Sequence, residues 1–173
     1  MSNRGGKGSR LKNRVLMNDL YITPAVLAKQ CIDECIPHLD KKPEELRWYD
    51  PFKATGAYYY KFPSEKREWS EIHEKKDFFE FNDKIDIICS NPPVSILNEV
   101  LEHSVKLKPK IICYMIGVNN LTTKRIEDME KKGYKIVHLT LLKVFKWFGM
   151  TYNVVWKKTR KKGLIKIDRQ IYR

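Results

Sequence analysis

The residues most suited to chemistry form a four-residue turn, Asn91-Pro92-Pro93-Val94, directly after the apolar run 85–89. Proline fixes φ and has no N–H donor, so the carbonyl groups of this turn point outward instead of joining a sheet ladder. An asparagine side chain beside such carbonyls makes a group of acceptors suited to an amino group. The same four residues also fit an ordinary proline turn after a strand, and the surrounding elements must decide between the two interpretations.

A second set of candidate residues follows two predicted strands. Asp50 ends the first, where its carboxylate can accept from a cationic amine, and Gly56 lets the next loop approach a ligand closely. Glu74 follows the second predicted strand. Dinucleotide folds carry at this place the acid that binds the ribose hydroxyls. Asp77 can accept from an adenine amino group beside the ring of Phe78. Each residue alone also fits a plainer role as a helix cap, a solvated charge or a core side chain.

Strands and helices alternate along the chain. The first helix begins at Pro24, after Thr23 as its N-cap, and ends near Pro37. Two further helices are predicted over residues 96–107 and 123–132, and strands over residues 46–50, 69–72, 78–81, 85–89, 110–116, 135–142 and 152–156. The alternation predicts an α/β, Rossmann-like open sheet that is mostly parallel, with helices on both faces and a C-terminal antiparallel hairpin.

The net charge of +13 is concentrated at the two ends of the chain of 173 residues. Residues 1–14 contain five basic residues and no acid, and residues 157–173 contain eight basic residues and one acid. We therefore expect a basic flexible arm at 1–14, one catalytic domain at 15–156 and a basic C-terminal arm at 157–173. Basic arms commonly neutralise phosphates of nucleic acid, although they can also serve only as solubilising termini.

Composition narrows the cellular setting. No apolar run is long enough to span a membrane, and the N-terminus lacks the apolar segment of a secretory signal. We therefore expect an intracellular protein, in the cytoplasm or the nucleus, with no membrane partner. The cysteines, Cys31, Cys35, Cys89 and Cys113, lack C-x-x-C spacing, so we expect buried free thiols and no metal site.

Taken in this order, residues 21–156 resemble class I S-adenosylmethionine-dependent methyltransferases. The likeness is greatest to the small N6-adenine methyltransferases of phages and large DNA viruses. Tyr21-Ile22-Thr23-Pro24 is similar to the family's aromatic-x-Thr-Pro segment, and Asp50-Pro51-Phe52 with Gly56 is similar to its first cofactor loop. Asn91-Pro92-Pro93 matches its catalytic motif, which is Asp, Asn or Ser before two prolines and an aromatic residue.

The resemblance implies a role for each matched residue. Asn91, Pro92 and Pro93 are the expected catalytic residues. The expected contacts to S-adenosylmethionine are Tyr21, Thr23, Pro24, Asp50, Phe52, Gly56, Glu74, Asp77 and Phe78. The expected substrate contacts are Val94, Trp147 and Phe148.

The chain departs from the family pattern in three places. Val94 stands where the family has an aromatic ring that stacks on the target base, so Trp147 and Phe148 are candidates to replace it, or else pack together at a hairpin tip. Residues 53–55 replace small or glycine residues of the cofactor loop. Only two residues separate Glu74 from Asp77, so a helix usually present between these strands is missing.

The leading functional hypothesis is methylation of the N6 amine of adenine in nucleic acid, with DNA favoured over RNA by the family likeness. Methylation of a protein glutamine is a second enzymatic hypothesis, because its amide presents a similar conjugated amino group. A third is a catalytically inactive nucleic-acid-binding subunit that keeps the fold. Because no residues remain for a separate target-recognition domain, we expect either short sequence specificity or a homodimer.

Overall fold

One sheet of six strands carries the candidate residues in the computed structural model, which describes residues 21–143 and 150–168. The strands are β1 (Trp48–Asp50), β2 (Arg67–Trp69), β3 (Ile87–Ser90), β4 (Ile111–Gly117), β5 (Tyr134–Leu142) and β6 (Thr151–Lys158). Their order is β2-β1-β3-β4-β6-β5. The first four are parallel, whereas β6 runs antiparallel to both β4 and β5. The predicted mostly parallel sheet with a C-terminal antiparallel hairpin is confirmed.

Helices cover both faces of this sheet, as predicted. They are α1 (Ala25–Cys35), α2 (Leu97–Lys106) and α3 (Thr123–Lys131). Buried residues of α1 belong to one core cluster, and buried residues of α2 and α3 belong to another. None of the helices in the described part of the chain is long and apolar enough to cross a membrane.

The two central strands supply side chains to both cores, because successive residues of a strand point to opposite faces. In β4, Ile111, Cys113 and Met115 belong to the α1 core. Ile112, Tyr114 and Ile116 belong to the α2–α3 core. The sequence of a strand that is buried on both faces is a continuous apolar run. For this reason β3 and β4 could be predicted from the sequence.

All three helices begin within one residue of the predicted start, but the predicted N-cap of the first is wrong. For α3, the Thr122 side chain accepts from the Arg125 amide at 3.3 Å, and Gly133 follows with φ of 87°. The first helix begins one residue later than predicted, with Pro24 as the N-cap and no side-chain cap bond. Thr23 therefore does not cap α1, and its hydroxyl has another partner.

The segment between β1 and β3 differs most from the prediction. The strand expected at 69–72 is β2, at Arg67–Trp69, and the strand expected at 78–81 is wrong. Phe78–Glu80 is a 3-10 helix because the Asp77 carboxylate accepts from the Phe79 amide at 2.9 Å and tightens the turn. Every residue from β1 to β3 is described, and this stretch contains 3-10 turns and no α-helix, so the expected loss of a helix is confirmed.

The segment after β6 returns along β5, which is the last strand at that side of the sheet. The Thr159 amide donates to the Gly133 carbonyl at 3.0 Å, and the Leu164 amide donates to the Ile136 carbonyl at 2.7 Å. Ile165 and Ile167 pack against the α2–α3 core. This part of the basic C-terminal region therefore covers an exposed strand edge.

Candidate active site at the carboxyl ends of the parallel strands

A buried hydrogen bond joins the carboxyl ends of β1 and β3. The Ser90 hydroxyl donates to Oδ1 of Asp50 at 2.6 Å, and the Phe52 amide donates to the same oxygen at 3.3 Å. Asp50 and Ser90 are both 0% exposed. The other carboxylate oxygen of Asp50 is buried without a hydrogen-bond partner. This orphaned oxygen is an acceptor that a cationic or N–H donor can satisfy.

The environment of Asp50 changes its acidity. Burial raises the pKa of its carboxyl from an ordinary 3.8 to about 7, and the hydrogen bonds from Ser90 and from the Phe52 amide, with a weaker contact from the Tyr59 backbone, offset part of that rise. The group therefore ionises near neutral pH. A carboxylate with this pKa gains most from a cationic partner, because that partner replaces the hydration lost on burial.

Asn91 follows Ser90 at the start of the proline turn. Its side-chain nitrogen donates to the Thr23 hydroxyl at 3.3 Å, and Thr23 is only 7% exposed. Pro92 and Pro93 are buried, and a 3-10 turn at Val94–Ile96 then leads into α2. The N-terminal segment before α1 therefore orients the amide of Asn91.

Asn91 lines a cleft of about 460 Å³. The residues around it come from the segment before α1, the proline turn, the end of β4 with the turn after it, and the start of β6. They are Tyr21, Asn91, Val94, Met115, Gly117, Val118, Asn119, Asn120, Met150 and Thr151. Val94 is 39% exposed at this cleft, so its side chain is accessible to a bound molecule.

Asn119 and Asn120 are cleft residues that the sequence interpretation missed. They follow Gly117, the last residue of a strand that was predicted correctly. Since carboxyl ends of neighbouring parallel strands meet at one edge, their place after β4 was the available signal. Trp147 and Phe148 lie outside the described residues.

The loop after β1 is closed by one of its own side chains. Gly56 has φ of +84°, and a Cβ at this position would overlap Cε2 of Tyr60. The Tyr60 ring therefore fills the space that the missing side chain leaves, while the Tyr60 amide donates to the Gly56 carbonyl at 3.0 Å. Glycine is needed here both for its backbone conformation and for this ring contact.

Two acids follow β2, and they have different partners. Glu71 lies two residues after the strand and accepts from the Ala54 amide at 2.8 Å and from the His73 amide at 3.2 Å. Glu74, the predicted ribose contact, pairs with Lys53 at 2.7 Å. Glu71 was missed because the strand was predicted to extend through it. Both acids tie the segment after β2 to the loop after β1.

The predicted adenine contacts are part of the structural framework. Phe78 is 3% exposed and packs against Tyr49, His103 and the half-buried Phe52, the last at 5.2 Å between ring centroids. The Asp77 carboxylate holds the start of the adjoining 3-10 helix. These residues set the position of the loop after β1 through Phe52.

Replacing Gly56 by alanine should destabilise the fold more than the same change at Gly133. Both glycines have positive φ, so each change costs about 1–2 kcal/mol of backbone strain. Only Gly56→Ala also forces the Tyr60 ring aside, whereas a Cβ at Gly133 meets nothing within 4 Å. Because the Tyr60 ring is 63% exposed and can turn away from its preferred rotamer, about 0.5–1.5 kcal/mol more is expected. Chemical denaturation measures both, and adding Tyr60→Ala should recover the steric part. Equal losses at the two glycines would contradict this packing.

The raised pKa of Asp50 should make stability depend on pH. Between pH 3.8 and about 7 the folded state keeps a proton on Asp50 that the unfolded chain has lost. The contribution of Asp50 to the free energy of unfolding therefore falls as pH rises through this range, and it becomes constant above it. Asp50→Asn should remove this dependence in denaturation curves, whereas Asp83→Asn, at an exposed position, should preserve it. An unchanged slope in Asp50→Asn would refute the assignment.

The arrangement of this fold is shared with solved structures of low sequence identity. TrmN from Thermus thermophilus aligns with a TM-score of 0.53 at 16% identity, over 86% of this chain and 52% of that chain. The ribosomal protein L11 methylase from Lactobacillus delbrueckii subsp. bulgaricus aligns with a TM-score of 0.57 at 13% identity, over 76% and 79%. TYW2 from M. jannaschii, solved in complex with AdoMet, aligns with a TM-score of 0.53 at 10% identity, over 82% and 79%.

These similarities concern the fold, because no family model and no curated protein matches the sequence. The chain also spans only about half the length of TrmN. The chain has the Rossmann-like fold of the class I methyltransferases.

Proposed function

We propose that this protein transfers the methyl group of S-adenosylmethionine to the N6 amine of adenine in nucleic acid, with DNA favoured over RNA. The observation that carries the proposal is the hydrogen bond from the Asn91 amide nitrogen to Thr23 at the edge of the cleft. With its nitrogen bound to Thr23, the side chain offers its oxygen to a substrate. The fold and the likeness to the Asn-Pro-Pro motif support the same assignment.

Asn91 and Pro92 would act on the amino group rather than on the methyl donor. An exocyclic amine conjugated with a ring is planar and a weak nucleophile. By accepting both N–H bonds, the Asn91 oxygen and the Pro92 carbonyl favour a tetrahedral nitrogen whose lone pair can attack. S-adenosylmethionine would supply a methyl group on a cationic sulfur. The S–C bond breaks as the N–C bond forms, S-adenosylhomocysteine leaves, and the amine releases one proton to solvent. Alignment and electrostatics accomplish this without a strong general base.

The residues present fit the cofactor best at Asp50. Its buried, unpartnered oxygen matches the cationic amine of the methionine part, which can also hold the carboxylate ionised near neutral pH. Tyr21, Thr23 and Pro24 belong to the same proposal, because Tyr21 lines the cleft and Thr23 contacts Asn91. The solved complex of TYW2 with AdoMet lends the fold-level support for this choice of cofactor.

The loop after β1 must rearrange locally for Gly56, Glu74 and Phe52 to contact the cofactor. The Tyr60 ring lies on Gly56, and the Lys53 ammonium lies on Glu74. Tyr60 is 63% exposed and the Glu74 side chain is 46% exposed, whereas the Lys53 side chain is 12% exposed. A ribose that replaced Lys53 at Glu74 would leave the Lys53 ammonium its contact with the Trp69 ring, 3.7 Å from the ring centroid.

Nucleic acid is the proposed substrate because the protein carries a net charge of +13. Lys and Arg residues near phosphates release counterions and supply affinity that does not depend on sequence. A duplex adenine must leave the base stack to reach Asn91, and single-stranded substrate avoids that cost. We also propose short sequence specificity or a homodimer.

A catalytically inactive nucleic-acid-binding subunit is the second candidate. The Tyr60 ring on Gly56, the Lys53–Glu74 pair and the aliphatic Val94 favour it. Calorimetry with S-adenosylmethionine separates the two, because the inactive subunit has no need to bind the cofactor. Transfer of labelled methyl to protein substrates tests the glutamine alternative.

Asn91→Ala should abolish most methyl transfer while leaving cofactor binding in place. Loss of one preorganised polar contact to the reacting group costs about 10²–10³ in kcat. Thr23→Val should lose less, because it removes only the group that orients the amide. The measurement is transfer of labelled methyl to duplex DNA, single-stranded DNA, RNA and protein, with the label mapped to N6 of adenine. Thr123→Val, at the exposed start of α3, is the matched control. Equal labelling by Asn91→Ala and wild type would overturn the role of Asn91.

Val94→Phe should strengthen binding of an adenine-containing single strand. A ring at this accessible position can stack on the base, which is worth about 1–3 kcal/mol per base. The expected result is a lower KM for nucleic acid with an unchanged Kd for the cofactor. Val26→Phe, on the exposed face of α1 and outside the cleft, is the matched control. If both variants change KM equally, Val94 does not face the target base.

A further inference from the structure

Three cysteine side chains from three different elements converge in the core beneath α1. Cys35 is the last residue of α1, Cys89 lies in β3, and Cys113 lies directly opposite it in β4. Their sulfur atoms all lie within 4.8 Å of one another, and all three residues are buried. Among the described residues, no other group of three or more His, Cys, Asp or Glu side chains brings its ligand atoms this close together.

We propose that Cys35, Cys89 and Cys113 bind one zinc ion. Thiolates are soft ligands that select zinc and other thiophilic ions over magnesium or calcium. With Zn–S bonds of about 2.3 Å, sulfurs of a tetrahedral site lie about 3.8 Å apart. The three sulfurs therefore need to approach by about 1 Å or less, which small side-chain rotations supply. The site is independent of the proposed methyl transfer.

The hydroxyl of Tyr58 is the candidate for the fourth ligand. Tyr58 belongs to the same buried cluster as the cysteines, and its hydroxyl interacts electrostatically with Cys31, Cys89 and Cys113. Its hydrogen-bonding neighbour is the thiol of Cys31, which is not one of the three proposed ligands. The Tyr58 oxygen can therefore complete a tetrahedral site beside the three sulfurs.

Charge favours zinc over copper(I) at this site. Binding converts three thiols to thiolates and releases three protons to solvent, so Zn²⁺ leaves a net charge of −1, whereas Cu⁺ leaves −2. The Cys113 thiol donates to Oδ1 of Asn153 at 3.1 Å, and the Asn153 side-chain nitrogen donates to the Glu34 carboxylate at 2.6 Å. Additional negative charge in this buried region is costly, and the divalent ion minimises it.

A zinc ion here would fasten α1 to the centre of the sheet. The helix starts just after Thr23, which orients Asn91, so the ion would support the N-terminal segment against the proline turn. Because all three ligands are buried, the ion must enter before α1 packs on β3 and β4. Zinc should therefore be incorporated during folding.

The test is to refold the full chain with zinc chloride, remove unbound metal by desalting and measure bound zinc by mass spectrometry. Wild type should retain stoichiometric zinc. Cys89→Ala should bind it more than about 100-fold more weakly, since loss of an outer-shell partner alone costs about 10- to 100-fold. Cys31→Ala is the matched control, because Cys31 is equally buried on α1 but lies outside the three-sulfur group.

Two results would overturn the proposal: wild type refolded with zinc that retains none, or zinc retention that is equal in Cys89→Ala and wild type. Retention of copper(I) in place of zinc would refute the choice of ion. Refolding wild type with cobalt(II) gives a second readout that needs no variant. A sulfur-to-cobalt charge-transfer band supports thiolate coordination, and its absence contradicts it.

Discussion

The hydrogen bond from Ser90 to Asp50 is the constraint on which the candidate site depends. It joins the ends of β1 and β3, so the loop after one strand and the proline turn after the other keep a fixed relation. Because both residues are fully buried, the bond is shielded from water and holds a carboxyl that would otherwise be costly to bury. Asn91 directly follows Ser90 in the chain, so the bond also fixes the position of the Asn91 backbone.

The N-terminal segment supplies the other half of this geometry. Thr23 directs its hydroxyl to the Asn91 amide instead of capping α1, so the helix starts without a side-chain cap. Burial of the inner face of α1, including Ala28, Cys31 and Ile32, compensates for the missing cap. Local helix stability is thus given up for orientation of the Asn91 amide, and packing of the inner face of α1 offsets the loss.

Much of the fold was predictable, because β3 and β4 are continuous apolar runs and α3 has both a Thr cap and a Gly stop. The segment between β2 and β3 was not, because the rings of Phe78 and Phe81 suit a strand and a core 3-10 turn equally well. Their contacts with Tyr49 decide the outcome, with Phe81 stacking on it at 4.1 Å. Glu71 was missed because the strand predicted at 69–72 runs through it, whereas β2 ends at Trp69.

The sequence by itself determined the order of the helices and of the six observed strands, and which residues form the proline turn, because periodicity and proline act on neighbouring residues. Only the tertiary structure decided which side chains meet. Thr23 and Asn91 are 68 residues apart, and Ser90 and Asp50 are 40 apart. Cys35, Cys89 and Cys113 have no metal-binding spacing, yet the sheet and α1 bring their sulfurs together. Such contacts arise from packing between elements, which residue spacing does not encode.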